Sequence, residues 1–335
     1  MAKIWKRRQK NLIEISHLVK KYGSHTAVDD LSLTVEPGRI YGFLGPNGAG
    51  KSTTMNIVTG YLGATSGEVK INGYDILKQP EEAKKCIGYL PEVPPLYMDM
   101  TVEEYLNFAA ELKMEKSARK KAVEEAMELA GISEKKERLI RNLSKGYRQR
   151  VGLAQAVLGY PEVIILDEPT VGLDPRQIIE MRELILKLGE THTVILSSHI
   201  LSEVREVCDY IFIISEGKLV ASDTTEHLLK QVEDGGREMK VLVRGDGEAA
   251  KELLLADDLV EDVLKCPGGE EDTANLMIRA AAKEDIRSHV IKTLVDGGVF
   301  VLEAASAGKT LEDIFLELTN QKGALHYESD SEAGI

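Results

Sequence analysis

The stretch Gly45-Pro-Asn-Gly-Ala-Gly-Lys-Ser52 decides the fold of this chain of 335 residues. It follows an apolar run at residues 39–44 and precedes residues 52–59, which have helical potential, so the local order is strand, glycine-rich turn, helix. In that setting the pattern G-x-x-x-x-G-K-[ST] forms a loop whose backbone N–H groups surround phosphate oxygens at a helix N-terminus. The motif therefore predicts a P-loop nucleotide site.

The polar residues of such a loop have separate tasks. Lys51 reaches the β- and γ-phosphates, the Ser52 hydroxyl ligates Mg²⁺, and Thr53 donates to the α-phosphate. The residues of the loop that we expect to bind the nucleotide are Gly45, Pro46, Asn47, Gly48, Ala49, Gly50, Lys51, Ser52 and Thr53.

A second apolar run, Val163-Ile-Ile-Leu-Asp167-Glu168, ends in two acidic residues. Continuous apolar character is typical of a parallel strand buried on both faces, and ligands bind where such strands end. We expect Asp167 to hold the Mg²⁺ shell, and Glu168 to accept a hydrogen bond from the attacking water and orient it toward the γ-phosphate. The pair predicts hydrolysis rather than binding alone.

The remainder of the first two thirds alternates strands with helices, which predicts an α/β fold with a mainly parallel sheet covered by helices. A helical insertion at about 93–160 begins with an expected capping box at Thr101 and Glu104. Further segments with strand character are 12–15, 31–35, 68–71, 87–90, 193–196 and 210–215.

The last third has a different pattern. Its order over residues 239–304 is strand, helix, strand, strand, helix, strand, which matches the split βαβ, or ferredoxin-like, α+β arrangement. A final helix would carry an apolar stripe at Leu311, Ile314, Phe315 and Leu318. The expected divisions of the chain are a basic arm at 1–10, a nucleotide-binding domain at 11–232, a linker at 233–236, an accessory domain at 237–322 and an acidic, frayed tail at 323–335.

Composition excludes several classes of protein. The net charge is −13, and residues 226–335 hold 12 Lys and Arg against 24 Asp and Glu, which argues against a nucleic-acid partner. No apolar run approaches the ~18 residues of a membrane-spanning helix, and no secretory signal follows the basic arm. The three cysteines have no metal-ligand spacing. We therefore expect reduced thiols, no zinc site and a cytoplasmic location.

Between the two nucleotide motifs lies Leu143-Ser-Lys-Gly-Tyr-Arg-Gln149. With this loop in place, the chain from residue 12 to about 225 resembles the nucleotide-binding subunit of ATP-binding cassette (ABC) proteins, whose signature loop usually reads LSGGQ. Ser144 and Gly146 match that loop. The resemblance implies ATP and Mg²⁺ as ligands, and a head-to-tail dimer in which the signature loop of one copy covers the γ-phosphate held by the other.

The resemblance assigns four more residues. Tyr22, expected in a loop after the first strand, resembles the aromatic residue that stacks on adenine, and Val28 resembles the apolar contact beside the base and ribose. Asp174 lies in the loop that crosses the dimer, and His199 resembles the switch histidine that contacts the γ-phosphate.

The sequence departs from the family pattern at three positions. Lys145 replaces the middle glycine of the signature, where it would alter closure or add a cation near the γ-phosphate, and Tyr147 replaces the glutamine. Glu92 stands where a Mg²⁺-coordinating glutamine usually lies. A carboxylate there would still coordinate Mg²⁺, but its negative charge is expected to weaken ATP binding unless the metal or Lys145 offsets it.

The stretch Gly88-Tyr-Leu-Pro-Glu92-Val-Pro-Pro-Leu-Tyr97 is similar to the ATPase subunits of multidrug, sodium and gliding-type exporters. The resemblance implies a peripheral subunit on the cytoplasmic face of the membrane, working with a separate transmembrane permease. A short permease helix would enter a groove lined by Pro94, Pro95 and Tyr97. The alternatives are a soluble ABC-type ATPase acting on ribosomes or DNA, and a nucleotide sensor without turnover, against which Glu168 and His199 argue.

Overall fold

The computed structural model of the protein describes residues 11–227, 238–266, 272–281 and 286–306, together with Phe315. The described residues form two compact units that divide between Thr225 and Glu226. The expected basic arm, linker and acidic tail lie outside the described residues, as do Leu311, Ile314 and Leu318 of the expected apolar stripe.

Strands and helices alternate along most of the first unit. Its strands are β1 (Ile13–Tyr22), β2 (His25–Val35), β3 (Ile40–Leu44), β4 (Ser66–Ile71), β5 (Tyr74–Asp75), β6 (Ile87–Leu90), β7 (Val163–Asp167), β8 (Thr193–Ser198), β9 (Tyr210–Ser215) and β10 (Lys218–Thr224). Its helices are α1 (Lys51–Val58), α2 (Pro80–Lys85), α3 (Val102–Lys113), α4 (Lys116–Leu129), α5 (Lys145–Val157), α6 (Pro175–Gly189) and α7 (Leu201–Val207), with short 3₁₀ turns at Ser133–Lys135 and Ile140–Asn142.

The central sheet has six strands in the order β10-β9-β3-β8-β7-β6. All neighbours are parallel except β10, which pairs antiparallel with β9. Strands β3, β7 and β8 are buried along their whole length, as expected for parallel strands with both faces covered. Because these three strands are neighbours, the loops that follow them meet at one edge of the sheet.

The sequence did not predict the second sheet. Segments 12–15, 31–35 and 68–71 do not join the parallel sheet, because β1, β2 and β4 form an antiparallel sheet with β5 in the order β2-β1-β4-β5. The physical reason is the tight turn between β1 and β2, in which Tyr22 pairs with His25 and Gly23 has a φ of 59°. So short a connection can only join antiparallel strands, since a parallel crossover needs a dozen or more residues.

The helices of the insertion begin with hydrogen-bonded caps. Thr101 and Glu104 form the predicted capping box at α3: the Glu104 backbone N–H donates to Thr101 Oγ1 at 3.2 Å, and the Thr101 N–H donates to Glu104 Oε2 at 2.8 Å. Ser144 caps α5 by accepting a hydrogen bond from the backbone of Tyr147. In the part of the chain that the structure describes, no helix is both long and apolar enough to cross a bilayer.

The second unit contains β11 (Glu238–Arg244), α8 (Glu248–Leu255), β12 (Val260–Cys266), β13 (Thr273–Ala280), α9 (Arg287–Asp296) and β14 (Val301–Ser306). The sheet is antiparallel in the order β12-β13-β11-β14, and the element order is the expected βαββαβ. Leu254 of α8 and Leu294 of α9 are fully buried with Val241, Leu276 and Ile278 of the sheet. This unit therefore has its own core.

A glycine allows α7 to lie directly on β3 in the first unit. A Cβ atom at Gly42 would come within 2.3 Å of Val204 Cγ1 and 3.2 Å of Cys208 Sγ. Both Val204 and Cys208 are buried, so neither can move away without disturbing the core. Gly42 thus sets the distance between α7 and the strand that leads into the P-loop.

We predict that Gly42→Ala lowers the free energy of unfolding by about 1–3 kcal/mol, the usual effect of overpacking a close contact. Urea unfolding of the purified protein measures this difference. The matched control is Gly63→Ala, because a Cβ there meets no atom within 4 Å, and a change below about 0.5 kcal/mol is expected. Equal unfolding midpoints for the two variants would contradict the role given to Gly42.

Candidate active site

A cavity of about 450 Å³ opens at the edge of the central sheet where β3, β7 and β8 end. It brings together ten of the residues that the sequence nominated: Tyr22, Asn47, Gly48, Gly50, Lys51, Ser52, Thr53, Glu92, Glu168 and His199. The turns and loops that carry them are far apart in the sequence, so their convergence depends on the sheet order.

The backbone between β3 and α1 forms a cradle that side chains would fill. Gly48 and Gly50 have φ angles of 82° and 97°, in the left-handed region that glycine tolerates. A Cβ at Gly50 would lie 2.4 Å from the carbonyl oxygen of Ala27. Helix α1 begins without a side-chain cap and with no acidic residue in its first turn. An uncapped helix N-terminus beneath such a loop is chemically suited to an anionic phosphate.

Lys51 is held inside this loop. Its Nζ donates to the carbonyl oxygens of Gly45 at 2.7 Å and Pro46 at 3.2 Å, and lies 3.6 Å from Glu168 Oε1. The side chain is only 5% exposed. Burial lowers the pKa of Lys51 below its usual range, while the carboxyl groups of Glu168 and Asp167 oppose the shift. A phosphate placed in the cradle would supply a further anionic partner for this amine.

Glu168 lies between a cationic side chain and an imidazole. One carboxyl oxygen faces Lys51, and the other, Oε2, lies 2.9 Å from His199 Nδ1. Glu168 has a φ of 48°, an uncommon angle for a residue other than glycine, and its N–H donates to the carbonyl of Ser197 at 2.9 Å. Backbone strain of this kind is often found at functional sites. The arrangement can hold and orient a water molecule next to a phosphate.

Two side-chain oxygen atoms that could ligate a metal ion face each other beside the P-loop. Ser52 Oγ donates to Asp167 Oδ1 at 3.4 Å, and Asp167 is buried. A hydroxyl and a carboxylate are ligands of the kind that Mg²⁺ prefers, with water and phosphate oxygens completing its shell. Among the residues that the structure describes, no group of three or more His, Cys, Asp and Glu side chains could hold a metal ion by itself. These donors fit a magnesium ion that arrives with a phosphate ligand.

Two placements from the sequence need correction. Tyr22 is the last residue of β1 rather than part of a loop. Val28 does not reach the cavity, because its side chain is fully buried in the core; Ala27 lies at the wall instead. The side chains of adjacent residues in a strand point to opposite faces. One residue of the pair therefore lines the cavity while its neighbour lies in the core.

The structure also adds residues that the sequence reasoning missed. His25, Ala27 and Val171 line the cavity. His25 arrives there because it pairs with Tyr22 across the β1–β2 turn. The short polar turn between two strand-like runs was the signal that could have found it. Val171 lies three residues beyond Glu168, in the same loop.

The signature loop and Asp174 lie outside this cavity. Ser144 caps α5, and Asp174 caps α6 by accepting a hydrogen bond from the Gln177 N–H at 2.9 Å. The starts of the two helices are in contact: Lys145 covers Gly172, and Gly146 packs on Gln177 so closely that a Cβ would lie 2.6 Å from its Oε1. The cavity of this chain therefore contains neither Ser144, Lys145, Gly146 nor Asp174.

Comparison with known proteins is consistent with this geometry. The family model described as ABC transporter matches residues 28–171. The bacitracin transport ATP-binding protein BcrA of Bacillus licheniformis is 36% identical over 92% of this chain and 97% of its own length. The linearmycin resistance ATP-binding protein LnrL of Bacillus subtilis is 32% identical over 92% of this chain and 99% of its own length.

A solved structure is similar to the larger part of this chain. The dimeric structure of MJ0796, a bacterial ABC transporter cassette, is 26% identical, with a TM-score of 0.58, over 64% of this chain and 98% of that one. The matching relatives span nearly the whole chain, and the matching cassette shares its fold over the larger part of it. The chain therefore belongs to the ATP-binding proteins of ABC transporters and is an ATPase of that family.

Proposed function

We propose that the protein hydrolyses MgATP in this cavity and uses the reaction to drive export through a separate membrane permease. The observation that carries the proposal is Glu168, held by Lys51 on one side and His199 on the other at the mouth of the P-loop. A phosphate-binding module without turnover has no need of a carboxyl group aimed at that position.

Nucleotide binding falls to the loop and the β1–β2 turn. The exposed ring of Tyr22 is available to stack on adenine. The backbone N–H groups of residues 45–53 and the start of α1 would hold the phosphates, and Lys51 would exchange the carbonyls of Gly45 and Pro46 for the β- and γ-phosphates. A bound Mg²⁺ would neutralise part of the negative charge of the phosphates. Ser52, Asp167 and Glu92 are the residues that would hold it.

Hydrolysis requires a water in line with the γ-phosphate. Glu168 would accept a hydrogen bond from this water and orient it, because its carboxyl group already lies beside Lys51, the residue that marks the phosphate position. His199 is on the opposite side of Glu168 and partly exposed to the cavity. There it would contact the γ-phosphate and hold Glu168 in orientation.

A second copy of the chain would complete the site. Ser144, Lys145, Gly146 and Asp174 lie together but outside the cavity of their own chain. In a head-to-tail dimer they would cover the nucleotide bound by the partner, with the N-terminus of α5 and the Lys145 amine directed at the γ-phosphate. The dimeric form of a related cassette supports this assembly.

The permease would dock in a second cavity, of about 690 Å³, between the central sheet and the helical insertion. Pro94 and Pro95 line it as expected, together with Val93 and with Tyr61, which is 84% exposed. Tyr97 is not on its wall, because the ring packs against Tyr105 and Phe108. The names of the relatives, bacitracin transport and linearmycin resistance, favour export. As the ATP-consuming partner of the permease, the protein would lie on the cytoplasmic face of the membrane.

Glu168→Gln is predicted to lower the rate of ATP hydrolysis by about 10²–10⁴-fold, the usual contribution of a positioned base. ATP binding should persist, so the variant should accumulate as an ATP-bound dimer. Phosphate release and size-exclusion chromatography with ATP measure the two effects. The control is Glu216→Gln, an exposed glutamate with a similar φ of 49°, which should hydrolyse ATP normally. Normal turnover in Glu168→Gln would remove Glu168 from its role.

Glu92→Gln should raise the affinity for MgATP about five- to tenfold, because it removes a negative charge that faces the phosphates at short range. The gain should shrink as ionic strength rises. Titration with a fluorescent ATP analogue at low and high salt provides the measurement. Glu134→Gln, at an exposed position in the helical insertion, is expected to bind ATP as the natural protein does. An unchanged or lower affinity in Glu92→Gln is incompatible with this electrostatic argument.

Purification from gently solubilised membranes should yield the protein with one polytopic membrane protein in a stoichiometric ratio. Tyr61→Asp should lower the amount of this partner about tenfold or more, since aromatic anchors contribute about 2 kcal/mol or more to an interface. Its basal ATPase rate should not change.

The control for this experiment is Leu77→Asp, which alters an apolar side chain that is 61% exposed but lies outside the groove, and which should keep the partner. Recovery of the natural protein with ribosomes or DNA instead would refute the transport proposal while leaving the ATPase intact.

A further inference from the structure

Glu203 is a buried carboxyl group to which the mechanism above gives no role. It lies on α7 and is 4% exposed. Its Oε2 accepts two hydrogen bonds, from Thr170 Oγ1 at 2.7 Å and from Ser198 Oγ at 3.2 Å. Both hydroxyl groups belong to buried residues. One oxygen atom therefore joins two segments of chain that are 28 residues apart in the sequence.

These two segments carry the groups placed at the reacting end of the cavity. Thr170 follows Glu168 by two residues, and Ser198 directly precedes His199. The side chains of Glu168 and His199 meet at 2.9 Å. Their relative position thus depends on how firmly the two segments are held together behind them.

Glu168 needs such support because its backbone is strained. A φ of 48° in a residue other than glycine persists only when the surrounding structure imposes it. One restraint is the hydrogen bond from the Glu168 N–H to the Ser197 carbonyl. The bond from Thr170 to Glu203 restrains the same turn from its other end.

Helix α7 provides a rigid base for this contact. Val204, the residue after Glu203, packs on Gly42 of β3 with no room for a side chain between them. Leu201 and Val207 of the same helix are also buried. Since β3 leads directly into the P-loop, Glu203 is fixed with respect to the loop that would hold the phosphates.

Stability alone does not explain a glutamate here. Burial of a carboxyl group whose described partners are two hydroxyls is unfavourable compared with burial of a hydrocarbon side chain of similar size. The nearest glutamate on the helix, Glu206, is by contrast exposed and paired with Arg182. The residue type at 203 is therefore better explained by the two loops that it joins.

We infer that Glu203 is a positioning residue for hydrolysis, which holds the segment of Glu168 and the segment of His199 at a fixed separation. The inference rests on the proposed role of Glu168 in turnover. Glu203 is not among the residues that line the cavity, so its removal should slow the chemical step and leave nucleotide binding nearly unchanged.

The test is the steady-state kinetics of Glu203→Ala, with nucleotide affinity measured in parallel. We expect kcat to fall about tenfold to a hundredfold, the effect of a displacement near 1 Å at a reacting group. KM and the affinity for ATP should stay within about twofold, since phosphate binding is separate from orientation of the water. Glu203→Gln should recover much of the rate, because the amide oxygen can still accept from both hydroxyls.

Two sets of variants separate positioning from general stability. Glu206→Ala, on the same helix, should retain the natural kcat. Thr170→Val removes one of the two hydrogen bonds without changing the shape of the side chain, and serves as the test if Glu203→Ala does not fold. Combined with Glu203→Ala, it should add less than its separate effect, because both changes break the same contact.

An unchanged kcat in Glu203→Ala and Thr170→Val would overturn the inference, as would a Gln variant no faster than the Ala variant, or a loss of affinity equal to the loss of rate. Normal ATP turnover in Glu168→Gln would be a different result, because it would refute the role of Glu168 on which the inference rests.

Discussion

The carboxyl ends of β3, β8 and β7 meet at one edge of the central sheet, and the chemistry of the protein depends on that convergence. Lys51 follows β3, His199 follows β8, Asp167 ends β7 and Glu168 follows it. In the sequence, β4, β5 and β6 lie between β3 and β7, and helix α6 lies between β7 and β8, so short loops alone could not bring the four groups together. The parallel hydrogen-bond register does so, and it aligns Asp167 with Ser197, close to His199.

The converged groups are electrostatically unusual in combination. A lysine that is almost fully buried has Glu168 as its ion-pair partner and two loop carbonyls as acceptors. Burial lowers the pKa of this lysine, while the start of α1 leaves N–H dipoles directed at the same space. The buried position of the lysine and the uncapped start of α1 are unfavourable or neutral without a phosphate and favourable with one. The site is therefore organised for phosphate before any phosphate arrives.

Sequence reasoning was most reliable where a local rule determines the structure. The capping box at Thr101 needs only neighbouring residues to form, and the apolar runs of β6 and β9 identify buried strands; each occurs where the sequence predicted it. The P-loop combines a local glycine pattern with a strand and a helix on either side.

Prediction from the sequence failed where the structure depends on strand pairing or on the direction of a side chain. The segments of β1, β2 and β4 have the composition of strands in either kind of sheet, and only the tight turn after Tyr22 reveals their antiparallel pairing. Val28 differs from Ala27 by one position, which in a strand reverses the direction of the side chain. Glu203 was not identified, because a lone glutamate in a helix gives no sign of the two hydroxyl groups that fold onto it from distant segments.

Helix α5 has a mechanical consequence that follows from its two ends. Its first residues hold the signature loop against Gly172 and Gln177. Gly152 and Gln155, nearer its last turn, line the second cavity, of about 690 Å³, between the central sheet and the helical insertion. The helix has 13 residues and is about 20 Å long. Lys113 braces its far end by donating to the carbonyls of Gln155 and Leu158. A hydrogen-bonded helix of this length bends little. A force applied to α5 in the second cavity would therefore tilt the whole helix and displace Ser144 at its opposite end.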